Sequence, residues 1–183
     1  MQSHFRMKSF LRSDNGSAVI EAAFIIPIFL AIFLGSITYF DDFRASQAIV
    51  RAATTTVDLA TRVVEIDDAT AESIYASAGA VTGIYLDSLE EFTVVIASVS
   101  FSKTDDDFHL EWSISNVHGE EMTDADIEAL DLPALGDGET VVVAKVTAKY
   151  GSYLEQNLPD KWEFSAMQMR RPRFGVRVAN STT

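Results

Sequence analysis

Gly16 and Glu21 are the residues of this chain whose types and spacing best suit chemistry. Gly16 ends a short polar break, Ser13-Asp14-Asn15-Gly16, and leaves the backbone nearly bare at its bond to Ser17. A glycine followed five residues on by a glutamate at the head of an apolar helix has the pattern of a processing site. Glu21 is the one charged residue among the 24 from Ser17 to Phe40. It stands one helical turn beyond Ser17 on the same face, where a cation at that position could pair with it. A carboxylate in apolar surroundings needs such a cation, from its own chain or a neighbouring one.

Other reactive constellations are thin. His109 and His118 stand near Asp105, Asp106, Asp107 and Glu111, but their spacing matches no metal-ligand frame. A solvated strand face and a hairpin turn are expected there. Asp124, Asp126, Glu128 and Asp131 lack the central glycine and terminal glutamate of a calcium loop. Cysteine is absent, which excludes thiol catalysis and Cys-ligated metal. There is no Gly-x-Ser-x-Gly or phosphate loop. No catalytic residue, metal or cofactor is expected, and Asn180-Ser181-Thr182 reads as a disordered tail that matches a glycosylation sequon by letters only.

The segment that must position Gly16 and Glu21 is apolar and long. At about 1.5 Å rise per residue, 24 helical residues cover a bilayer core about 30 Å thick. Pro27 removes one backbone hydrogen bond and should kink this helix. Past Phe40 the helical pattern continues: Ile49, Ala53, Val57, Ala60 and Val64 form one stripe, with Arg44, Gln47, Arg51, Asp58 and Arg62 mostly off it. Thr54-Thr55-Thr56 invites a bend, Asp67-Asp68 breaks the helix, and Ala69 to Val81 predicts a shorter one ending near Gly79 or Gly83. Period two then takes over. Phe92 to Phe101, Phe108 to Ile114 (alternating with His109, Glu111 and Ser113), Val142 to Tyr150, and a run opening at Trp162 predict four strands. Ser102 to Asp107 suits a hairpin, and Asp124 to Leu130 one helical turn. The expected fold is α+β: a long N-terminal helix, a short helix, and a roughly four-stranded antiparallel sheet with one face under the helix and the other wet.

Charge divides sharply along the chain. Up to Gly16 there are three of the 14 Lys and Arg and one of the 27 Asp and Glu, so the remainder carries a net of −15. So acidic a body argues against nucleic acid. Arg6, Lys8 and Arg12 before the apolar run, with Asp41 and Asp42 after it, predict an N-terminus inside and a C-terminal domain outside. A secretory signal with cleavage near Gly35-Ser36 competes, but the apolar run continues through Ile37, Tyr39 and Phe40 and offers no small-x-small triplet.

The run Gly16-Ser17-Ala18-Val19-Ile20-Glu21-Ala22-Ala23-Phe24-Ile25-Ile26-Pro27 resembles the start of TadE/TadF-like minor pseudopilins of tight-adherence (Flp-type) pilus systems. A looser likeness covers Val143 to Val146, Lys161 to Ala166 and Arg170-Arg171-Pro172-Arg173. The resemblance implies a pilin-like fold with residues 1–16 as a cytoplasmic leader, 17–40 as a transmembrane helix and 41–183 as an extracytoplasmic head. It implies a processing site at Gly16 and Ser17, Glu21 for subunit pairing, and Pro27 as the kink. The implied partners are a prepilin peptidase, other pilins or pseudopilins, the inner-membrane assembly platform and membrane lipid. The implied location is the inner membrane, single-pass. The rival expectation is an uncleaved, membrane-anchored periplasmic scaffold or adaptor; an enzyme stands third.

Overall fold

The structure is a computed structural model that describes residues 15–83, 89–150 and 162–182, with only the backbone of 15–18. Its first element is helix α1, Asn15–Ala60, which runs through Pro27. The chain falls into two compact units that divide between Asp41 and Asp42.

In the first unit α1 is apolar all round, and its large side chains are exposed from Val19 to Phe40. A helix without a polar face needs lipid or other helices around it. Its hydroxyls do not contradict this. Ser36 Oγ donates to Ile32 O at 2.8 Å and Thr38 Oγ1 to Leu34 O at 3.2 Å, so each polar group is satisfied inside the helix.

In the second unit, residues 42–60 of α1 bury one stripe: Ala45, Ala48, Ile49, Ala52, Ala53, Thr56, Val57 and Ala60. Most of these are small, which lets the helix backbone approach the sheet closely. The helix passes through Thr54-Thr55-Thr56 unbroken, as Thr54 and Thr56 donate their hydroxyls to the carbonyls of Val50 and Ala52. It ends at Ala60, earlier than expected, and this leaves Val64 66% exposed rather than on the buried stripe. Strand β1, Glu65–Ile66, follows directly. Asp67, instead of merely breaking a helix, starts one: its carboxylate accepts from Thr70 N at 2.9 Å and N-caps α2, Asp68–Thr82. Helix α2 passes through the buried Gly79 and stops at Gly83, whose φ of +62° suits glycine.

The sheet is formed by β2, Leu89–Ser102; β3, Asp107–Ser115; β4, Thr140–Tyr150; and β5, Trp162–Arg170. All pairs are antiparallel, in the order β3-β2-β4-β5. Between β3 and β4 lies the single-turn helix α3, Asp124–Glu128. The long helix, short helix and four-stranded sheet agree with the expected α+β layout.

Two features depart from expectation. The face of the sheet away from α1 is only partly wet. Val95, Ala97, Val99, Val141 and Val143 on that face pack under Met122, Ile127, Leu130, Leu132 and Leu135 of the β3–β4 excursion. The clean alternation of Phe108, Leu110, Trp112 and Ile114 also does not mark a single face. Val99 pairs with Leu110 but Ser98 with Trp112, so Glu111 is an extra residue in β3. The bulge sends Phe108 and Leu110 to the outer cluster, and Trp112 and Ile114 to the core beneath α1 and α2.

Ala179 to Ser181 are held by backbone hydrogen bonds, contrary to the expected loose tail. Strand β6, Ala179–Asn180, pairs in parallel with β1. Ala179 N donates to Val64 O at 3.0 Å and Ser181 N to Ile66 O at 3.0 Å. Val178, 1% exposed, belongs to the core with Val57, Ile66 and Ile96.

Candidate functional site

Gly16 and Ser17 lie in the first turn of α1, where backbone N–H groups have no intrahelical acceptor. Met1 to Asp14, most of the expected leader over residues 1–16, fall outside the described residues. Glu21 is exposed on the same helix, two turns before Pro27, amid Val19, Ile20, Phe24 and Ile25, which are 47–72% exposed. From Val19 to Ile25 the helix is therefore apolar apart from this one carboxylate. Among the described residues, α1 is the single helix long and apolar enough to cross a membrane.

The histidines and acids that invite a metal serve local structure. His109 Nε2 lies 3.5 Å from Asp105 Oδ2, and His118 Nδ1 lies 3.8 Å from Glu121 Oε1. Asp105 also accepts from Ser102 Oγ, and Asp107 from the N–H of Phe108, as hairpin acids do. Asp124 Oδ1 accepts from Leu110 N at 3.3 Å. Asp126 accepts from the N–H and hydroxyl of Thr123 at 2.8 and 2.7 Å; these bonds hold its carboxyl below the ordinary range despite some desolvation. No group of three potential metal ligands occurs among the described residues.

The strongest electrostatic cluster escaped sequence reasoning because its members lie over a hundred positions apart. Asp58 pairs with Arg62, with Arg170 Nη1 at 2.6 Å and with Arg173 Nη2 at 2.5 Å. Partial desolvation pushes the Asp58 carboxyl up. The charges of Arg173 and Arg62, the hydrogen bond from Arg62 and the charge of Arg170 together outweigh that and hold it below the usual carboxylate range. Arg173 N also donates to Thr61 O at 2.9 Å. Trp112 Nε1 donates to Val178 O at 2.9 Å and Thr140 Oγ1 to Val176 O at 2.5 Å. Residues 171–182 thus form a strap pinned to α1, β3, β4 and β1. The only sequence signal was the arginine density of Arg170-Arg171-Pro172-Arg173.

No protein-family model matches the chain, and no curated protein and no solved structure matches it. Its own residues therefore carry the functional reading.

Proposed function

We propose that this chain is a minor pseudopilin of a tight-adherence type IV pilus system, cut by a prepilin peptidase between Gly16 and Ser17. One observation carries the reading: a glycine five residues before a lone glutamate, both at the head of a helix that is apolar on every side. The basic leader and the acids after the span favour an N-terminus in the cytoplasm and the head domain outside the inner membrane. Glycine is a poor helix former and first-turn N–H groups lack intrahelical acceptors, so unwinding the Gly16–Ser17 bond for a peptidase costs little. Cleavage removes the three leader cations and exposes the Ser17 amine. Glu21 pairs with that amine, on its own helix before assembly and on a neighbouring subunit within a bundle of helices. There the unpaired charge would be expensive, so the pairing sets axial register. The partners are the peptidase, sister pilins or pseudopilins, the assembly platform and lipid, and no catalytic step is assigned to the chain itself.

N-terminal sequencing of membrane-extracted protein tests this. The expected product starts at Ser17, and Gly16→Lys blocks the cut because a long cationic side chain replaces a bare backbone. An intact Met1, as an uncleaved anchored adaptor would keep, or a start near Ser36 refutes the proposal.

A further inference from the structure

The strap carries a surface that pseudopilin processing does not use. Four of the chain's 14 Lys and Arg fall within the eight residues Arg170 to Arg177, in a protein of net charge −13. At the tip, Phe174 and Val176 are 59% and 61% exposed, on either side of Gly175, whose φ of +96° makes the turn. The tip is held at both ends, by Arg173 N on Thr61 O and by Trp112 Nε1 on Val178 O, so little ordering is lost when it docks. Arg173 is tied to Asp58, and Arg171 to Glu139 at 3.1 Å. Arg177 is exposed and has no ion-pair partner among the described residues. An aromatic flanked by arginines on a rigid loop has the composition of an interface hot spot.

The same unit of the chain holds a complementary surface. A groove of about 410 Å³ lies between α2 and β3, lined by Asp68, Ala71, Glu72, Tyr75, Ile114 and Glu121. Its walls carry three carboxylates, and Ser113, Ser115 and Thr182 line it beside the half-buried Tyr75. Burial and the Glu121 charge push the Tyr75 hydroxyl up to about 12, so it stays a neutral donor in the physiological range. His118, which also lines the groove, faces Glu121 at 3.8 Å.

We infer that the Phe174 tip of one copy docks into the acidic groove of a second copy, with Phe174 and Val176 against the half-buried Tyr75 ring and Arg177 facing Glu72 and Glu121. The two surfaces differ, so the contact is heterologous: it leaves a free tip on one copy and a free groove on the other, and it propagates unless the rotation closes a ring. Tethering in one membrane raises the effective concentration and lets a modest contact operate. The inference concerns residues 42–183 alone and stands whether or not the chain is cut at Gly16.

Because the chain lacks cysteine, disulfide trapping tests the contact cleanly. Full-length Val176→Cys and Glu72→Cys variants, both at exposed positions, are mixed in detergent and oxidised. The expected result is a disulfide dimer in the mixture, with far less in either variant alone. Adding Arg177→Glu to the Val176→Cys partner should lower the yield about fivefold, and Glu121→Arg in the groove partner should restore it. At about 1 M salt, where screening acts within about 3 Å, the yield should also fall. Equal dimer yields in the mixture and the single variants, or a yield indifferent to Arg177→Glu, would overturn the inference.

Discussion

Trp112→Phe probes how the strap is held. The substitution deletes the indole N–H that donates to Val178 O at 2.9 Å, while Val178 itself is 1% exposed. A buried carbonyl left without its donor costs about 1–3 kcal/mol. The smaller ring also gives up roughly 40 Å² of apolar contact, about 1 kcal/mol at about 25 cal/mol/Å². A total loss near 2–4 kcal/mol is therefore expected, concentrated where the strap meets β1. Urea unfolding of the detergent-solubilised chain, followed by circular dichroism, reads the total. Hydrogen exchange reads its location: the amides of Ala179 and Ser181, which donate to Val64 O and Ile66 O, should lose protection before the central strands do. Trp162, 62% exposed, supplies the control, since Trp162→Phe should change stability by no more than about 0.5 kcal/mol. Unchanged exchange at Ala179 and Ser181 in Trp112→Phe would show that the indole bond does not secure the strap.

Three further outcomes are expected. Glu21→Gln should leave cleavage after Gly16 intact while abolishing pilus formation; wild-type pilus yield by electron microscopy would sink the pairing role but not the processing site. Asp58 has a depressed folded-state pKa, so its stabilisation is present above its unfolded value near 3.9 and is lost as pH falls through the lower folded value. Asp58→Asn should therefore flatten acid unfolding below about pH 4 and, by leaving Arg62, Arg170 and Arg173 without their shared anion, make stability at pH 7 rise with salt; an unaltered acid limb tells against the cluster. The Ser98 hydroxyl is fully buried without a hydrogen-bond partner among the described residues, so Ser98→Ala should raise stability by up to about 1 kcal/mol in the same urea titration, and a loss of that size would mean the hydroxyl is satisfied.

Local pattern determined the elements. The apolar run after Gly16, the stripe of Ile49, Ala53, Val57 and Ala60, and the alternation in Phe92 to Phe101 and Val142 to Tyr150 each encode one period over a short stretch, and each became the element it announced. The spacing of Gly16, Ser17, Glu21 and Pro27 is likewise a property of one helix and needs no tertiary contact to be read. Tertiary structure decided what periodicity cannot carry. One extra residue at Glu111 inverts the faces of β3, because side chains alternate by two and a bulge shifts the count by one. Thr61 ends α1 before Val64 joins its stripe, and the strap that follows Arg170 turns Asp58 into a hub for arginines 112 and 115 positions away. The outer face of the sheet is roofed by Met122, Ile127 and Leu130, whose own stretch shows no period long enough to announce a layer. Contacts across such separations depend on where chain reversals place the segments, and no local window of residue types records that.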